Sequence, residues 1–195
     1  MQVKERAILL TKTKYSEADL ILKYITANGE VYSAIAKSAL KSKKRFGGGV
    51  LEPIHYVLLT VDRRENRLAI LNEAQLLDDF RGLKTEYERL ELALYFVKVV
   101  ATVAREGDLH QDLFNLLGHA LKAAAGVTDL QLLKIQFNLK LLHLQGVLPP
   151  DEKYAQYLRA SISDGLSKTP SLAMIKKEYQ QISSEVEIIF ADYVL

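Results

Sequence analysis

The chain contains no cysteine. That absence excludes a disulfide scaffold, a thiolate zinc site, an iron–sulfur cluster and a cysteine nucleophile, and it fits a reducing compartment. Long apolar runs are missing too. The most apolar stretch, Leu92 to Ala104, is interrupted by Lys98 and is too short to span a bilayer. The opening MQVKERAILL carries charges at Lys4, Glu5 and Arg6 and has no apolar run of signal-peptide length. The expectation is a soluble, cytoplasmic protein with no membrane partner. Catalytic motifs are also lacking. His55, His110, His119 and His143 do not form the His-Glu-x-x-His pattern of a zinc hydrolase, and neither a Gly-x-Ser-x-Gly elbow nor a Gly-x-Gly-x-x-Gly turn after a strand occurs. Asp78-Asp79 and Asp151-Glu152 fall at element boundaries, where capping accounts for them, and His119 and His143 read as core or boundary residues of apolar helices. No enzyme activity, cofactor or metal site is expected.

What the sequence does contain is an ordinary globular balance: 195 residues, 49% apolar and 26% charged, enough for one large domain or two small ones. The first part reads as strands. Ala7–Thr13, Leu20–Thr26, Val31–Ala36, Val50–Val61 and Leu68–Leu71 are apolar or alternating runs separated by polar breaks, among them Tyr15-Ser16-Glu17 and the turn 62–66. Asn28-Gly29 predicts a type I′ hairpin, and Pro53 predicts a bulge or edge near the start of the fourth strand. Five strands with no room for crossover helices imply a small antiparallel barrel or sandwich.

From Thr85 the period changes to 3 and 4, and the remainder is read as helices. Tyr87–Ala101, Leu113–Ala124 and Leu130–Leu144 are three of them, the last capped by Asp129, closed near Gly146 and terminated by Pro149-Pro150. Ser167–Ser171 with Pro170 reads as a linker and helix start, and Met174, Ile175, Ile182, Val186, Ile189 and Tyr193 mark a final amphipathic helix whose late acids Glu185, Glu187 and Asp192 oppose the helix dipole. The architecture expected is α+β, with a β-module over 1–79 and an all-α module over 80–195. Leu130–Leu144, apolar on nearly every side, is expected at the centre of its bundle; the competing reading is a peptide groove in which Lys134, Lys140 and His143 meet an acidic terminus.

A net charge of +2 conceals a local pattern. Between Glu30 and Glu52 there is no acid, yet Lys37, Lys41, Lys43, Lys44 and Arg45 occur there, followed by Phe46 and Gly47-Gly48-Gly49. Cations on a loop between strands suit a phosphate backbone, because each neutralised phosphate releases counterions. Tyr24, Tyr32 and Phe46 are candidate platforms for base stacking. Without a Gly-Lys-Ser/Thr the glycine triplet is not a phosphate loop and reads as a hinge.

Taken in order, several segments resemble one family. They are Ala7–Leu10, Tyr15–Leu22, Thr26–Glu30, Ala36–Gly48 and Leu51-Glu52-Pro53, then Leu113–Leu117 and Leu141–Pro149. This set is similar to the RecO recombination mediators of bacterial DNA repair. The resemblance implies an N-terminal OB-fold β-barrel followed by an all-α helical domain. It implies binding of single- and double-stranded DNA, annealing of complementary strands, and help in loading RecA onto DNA covered by single-stranded-DNA-binding protein. The partners implied are RecR, the C-terminal acidic tail of that protein and, indirectly, RecA; when bound to DNA the protein would associate with the nucleoid. No catalytic site is implied. Lys37, Lys41, Lys43 and Arg45 fall where the family loop is basic, whereas Ser38, Leu40 and Lys44 stand where the family usually has Gly, Arg and Ser. Many members carry a four-cysteine zinc site after the Gly-x-x-Pro segment; Asp151-Glu152-Lys153-Tyr154 follows here instead, in a chain shorter than usual, which implies a zinc-free form. Two other readings stay open: an interaction scaffold whose helices bind an acidic peptide, and an OB-type RNA-binding protein.

Overall fold

The computed structural model describes residues 1–64, 67–162 and 172–194, with the side chains of 64, 172–180 and 194 left undescribed. The expected linker Ser167–Ser171, its Pro170, and the side chains of Met174 and Ile175 lie outside the described residues.

Strands β1 (Gln2–Lys14), β2 (Leu20–Thr26), β3 (Val31–Ala36), β4 (Tyr56–Arg64) and β5 (Arg67–Asp78) close into a barrel in the order β1-β2-β3-β5-β4. This is the OB-fold arrangement, a small five-stranded barrel. β1 is long enough to serve both neighbours. Ala7–Lys14 pairs with β2 and Gln2–Ile8 pairs with β4, and a register shift between Leu9 and Thr11 bends the strand from one to the other. Inside, Ala7 and Leu9 meet Leu20, Leu22 and Tyr24, Ala34 and Ala36, Val57, Leu59 and Val61, and Leu71. These are alternate residues of each strand, as the period of two requires.

Three local expectations change. The β2–β3 turn is not type I′, because Asn28 does not take positive φ; only Gly29 does, at +85°. Gly29 N–H donates to the Thr26 carbonyl at 2.9 Å and Thr26 N–H to the Glu30 carbonyl at 2.8 Å, a three-residue loop closed by a left-handed glycine. The fourth strand begins at Tyr56 rather than Val50. Pro53 and Ile54 form the centre of a turn in which His55 N–H bonds the Glu52 carbonyl and Ile54 takes φ +80°. Its far side is docked on β1, where Ile54 N–H donates to the Leu9 carbonyl and Leu9 N–H to the His55 carbonyl, both at 3.0 Å. Finally, Gly47–Gly49 is a turn of 3-10 helix.

The chain divides into two compact units, Met1–Arg81 with Val97–Phe114, and Gly82–Phe96 with Asn115–Leu195. In the first, the 97–114 segment lies on the β2–β3 hairpin. Lys23 Nζ donates to the Ala101 and Ala104 carbonyls at 2.6 and 2.9 Å, at the C-terminal end of α1 (Tyr87–Val103), where a cation also suits the helix dipole. His110 N–H donates to the Gly29 carbonyl at 2.8 Å.

The second unit holds the first part of α1, most of α2 (Gln111–Ala124), then α3 (Leu130–Leu144), α4 (Ala155–Arg159) and α5 (Leu172–Val194). α3 is buried at nine positions from Leu132 to Leu142, as an all-round apolar helix should be. Asp129 caps it through its carboxylate and the Leu132 N–H, 2.9 Å apart. Its buried polar residues are all bonded: Gln136 Nε2 donates to the Tyr157 and Ala160 carbonyls, and Asn138 Oδ1 accepts from the Tyr95 hydroxyl. Phe96 and Phe137 stack with centroids 4.2 Å apart. Ile182, Val186 and Phe190 form the buried face of α5. His119 and His143 are exposed rather than core residues. No helix among the described residues is long and apolar enough to cross a membrane, and no group of three His, Asp or Glu among them is placed to hold a metal ion.

Candidate nucleic-acid interface

The connection from β3 to β4 carries the acid-free stretch, and it is fixed to the barrel by its own apolar residues. Ala39, Phe46, Val50 and Leu51 enter the same buried cluster as the strand interiors. Between these anchors the polar positions are turned outward: Lys37, Lys41, Lys43 and Lys44 are exposed, and among the described residues none of the four has an acidic partner. Arg45 differs. It is half-buried, its guanidinium donates to the Lys37 carbonyl at 2.8 Å, its Nε approaches Ser42 Oγ at 3.3 Å, and it lies over the Phe46 ring 5.1 Å from the centroid. Arg45 thus holds the loop closed, and the four lysines supply the outward charge.

The candidate stacking residues are placed otherwise than the sequence suggests. Tyr24 is 0% exposed because it follows Leu20 and Leu22 on the inward face of β2, and its hydroxyl donates to Glu5 Oε1 at 2.8 Å. Burial, with the Glu5 charge added, pushes its phenol pKa far above the ordinary value. Phe46 is 6% exposed and is a barrel anchor. Tyr32 is half-buried: the Arg63 guanidinium covers its ring 3.8 Å from the centroid, and its hydroxyl donates to Glu30 while accepting from Arg63. None of the three offers an open ring face to a base.

One aromatic is open. Tyr15, 65% exposed, occupies the β1–β2 turn within what the sequence shows as a polar break. Its N–H donates to the Asp19 carbonyl at 3.0 Å, and Asp19 Oδ1 accepts from the Ser38 N–H at 2.7 Å. The Leu40 N–H donates to the Ala18 carbonyl at 3.0 Å. The turn is therefore tied to the first residues of the basic loop. Parity could have placed Tyr24, which is in step with Leu20 and Leu22; Tyr15 shares the odd parity of Ala7 and Leu9 and is set apart by lying in the polar break beyond β1.

The helical unit has a groove of about 370 Å3 lined by Glu88, Glu91, Leu92, Tyr95, Leu130, Gln131 and Lys134. Its rim is more acidic than the sequence reading required. Lys134 lies 4.9 Å from the Tyr95 ring centroid and 3.9 Å from Glu187, and Lys140 Nζ already donates to the Leu158 carbonyl at 2.6 Å. Burial lowers the Lys140 pKa and raises that of Tyr95 to about 12. Two of the cations thought to await an acidic terminus are thus committed within the fold.

A closed OB barrel with a cationic connection, followed by a helical bundle, defines an α+β protein of the OB-fold class. The family is shown by comparison: the profile described as "Recombination protein O N terminal" matches residues 1–80, and "Recombination protein O C terminal" matches residues 84–153. The chain belongs to the recombination protein O family. Among curated relatives, DNA repair protein RecO of Desulfosudis oleivorans is 33% identical over 149 residues, 73% of this chain and 56% of that protein. The protein of that name from Alkaliphilus metalliredigens is 28% identical over 179 residues, 91% of this chain and 69% of the relative. The one from Syntrophus aciditrophicus is 33% identical over 148 residues, 75% and 56%. The chain thus matches little more than half the length of two of these three, and none of their names carries a catalytic activity.

Proposed function

We propose that this protein is a non-catalytic DNA-repair mediator, cytoplasmic and nucleoid-associated when bound, that binds single- and double-stranded DNA, anneals complementary strands and helps load RecA onto DNA covered by single-stranded-DNA-binding protein. Residues 1–79 act as the nucleic-acid module and 80–195 as the helical module, with RecR and the acidic tail of single-stranded-DNA-binding protein as partners. The observation that supports this reading is the row of exposed lysines, Lys37, Lys41, Lys43 and Lys44, on a connection fixed to an OB barrel. Annealing follows from the same charge. Two strands repel through their phosphates, and cations shared between them lower that repulsion until bases pair; no bond is made or broken by the protein.

The test replaces Lys37, Lys41, Lys43 and Lys44 by Ala and leaves Arg45, which closes the loop. Affinity for oligonucleotides should fall across sequences, and the dependence of log K on log salt should flatten by about 0.7 per lost phosphate contact on single strands. Annealing of complementary strands coated with single-stranded-DNA-binding protein should slow in parallel. Unchanged affinity and slope would remove the loop from the interface, and preference for RNA over DNA of one sequence would favour an RNA-binding role instead.

A further inference from the structure

Single-strand binders combine cations along the backbone with aromatic rings that take the bases. Among the described residues of 1–80 the rings are accounted for one by one. Tyr24, Phe46 and Phe80 are buried, Tyr32 is roofed by Arg63, and Tyr56 packs on Phe114 with centroids 6.4 Å apart. Tyr15 alone is mostly exposed, and its hydroxyl has no bonding partner among the described residues. A phenol ring in water at a turn gains free energy when a partner covers it.

The surroundings of Tyr15 specify what that is. The backbone bonds from Tyr15 to Asp19, from Ser38 to Asp19 and from Leu40 to Ala18 set the turn beside the start of the basic loop. Lys14 is exposed one residue before Tyr15, and Lys37 and Lys41 are exposed on either side of Ser38. Leu40, 55% exposed, adds a second apolar surface there. The same turn carries Asp19, bonded to the Ser38 N–H, and the exposed Glu17, so three exposed lysines stand against one exposed acid around the ring. A ring in such a setting matches a nucleotide, base against ring and phosphate against ammonium. A duplex cannot use the ring, because its bases are already stacked and paired.

We infer that Tyr15 is the stacking platform for an unpaired nucleobase, with Lys14, Lys37 and Lys41 taking the adjoining phosphates. This rests on the DNA-binding function proposed above and adds a residue that separates single strands from duplex.

The sequence has no tryptophan, so Tyr15→Trp installs a single reporter. Its emission should be quenched on titration with a thymidine oligonucleotide and change little with a blunt hairpin duplex. Tyr15→Ala should lose roughly tenfold in affinity for the oligonucleotide, with duplex affinity and the salt slope unchanged, since stacking releases no counterions. Tyr15→Phe should restore the loss. Saturable binding by anisotropy without quenching, or equal affinity of Tyr15→Ala and wild type, overturns the stacking role and leaves the loop assignment standing. Absence of saturable DNA binding by the wild-type protein overturns both.

Discussion

Ser38 holds a backbone φ of +53°, in the left-handed region where a Cβ is disfavoured, and its N–H is pinned by Asp19. A glycine at this place, which the family resemblance implies, would have a physical reason: without a Cβ the turn from β3 into the basic loop is unstrained. Left-handed geometry costs an L-residue about 1–2 kcal/mol, and glycine gives back part of that through its unfolded-state entropy. Ser38→Gly should therefore stabilise the protein by about 0.5–1 kcal/mol, read as a rise of roughly 2–3 °C in melting temperature. Gly29 is the opposite case. Its φ is +85°, and a Cβ there would lie 2.3 Å from the Gln111 backbone nitrogen, so strand hairpin and the 109–111 segment touch backbone to backbone. Gly29→Ala should cost more than about 2 kcal/mol, beyond the ordinary penalty of a strained φ, and hydrogen exchange should show the His110 amide losing its protection.

At the scale of elements, the period of 3.6 made the helices legible: the expected starts and ends of α3, its Asp129 cap and its left-handed Gly146 all recur in the structure. The barrel was legible in strand number and charge but not in which rings face water. Burial of Tyr24 depends on the parity of β2, and burial of Phe46 on a loop that folds back into the core, which no local pattern reports. The start of β4 was hidden for a similar reason, since Ile54 looks like a strand residue and serves as a turn residue.

The acids late in α5, which oppose its dipole, are partly answered by neighbours. Lys153 Nζ bonds Glu185 at 2.5 Å and approaches Asp151 at 3.2 Å. The bond from Lys153 holds the Glu185 carboxyl below its ordinary pKa; the Lys153 backbone N–H, then its ammonium, do the same for Asp151, and Glu185 foremost raises the lysine. Depressed carboxylates add stability above their unfolded pKa values, near 4, and lose it as pH falls through the lower folded values. Melting temperature followed from pH 5 downward should thus drop less steeply in Lys153→Met than in wild type.

For the molecule as a whole, a net charge of +2 predicts almost no long-range attraction to a polyanion. The arrangement of the charge matters more than its sum, because screening confines each charge's influence to about 8 Å at physiological salt. With four lysines outward on one connection, log K for a single strand should fall with log salt at a slope of about −3, and steeper with Lys14 engaged. A slope near zero in a salt titration would mean that the field of the loop is not what DNA meets.

The barrel closes along two long-range seams of unequal extent. β1 meets β4 from Gln2 to Ile8, whereas β3 meets β5 only where Ala34 faces Ala69 and Ile35 faces Ile70. The β1–β2, β2–β3 and β4–β5 pairs join strands consecutive in the chain, so their loops close at little entropic expense. The short parallel seam spans a much longer loop and gains few bonds for closing it. It should therefore be the pairing most readily lost in partial unfolding, and native-state hydrogen exchange should find the amides of this seam less protected than those between β1 and β4.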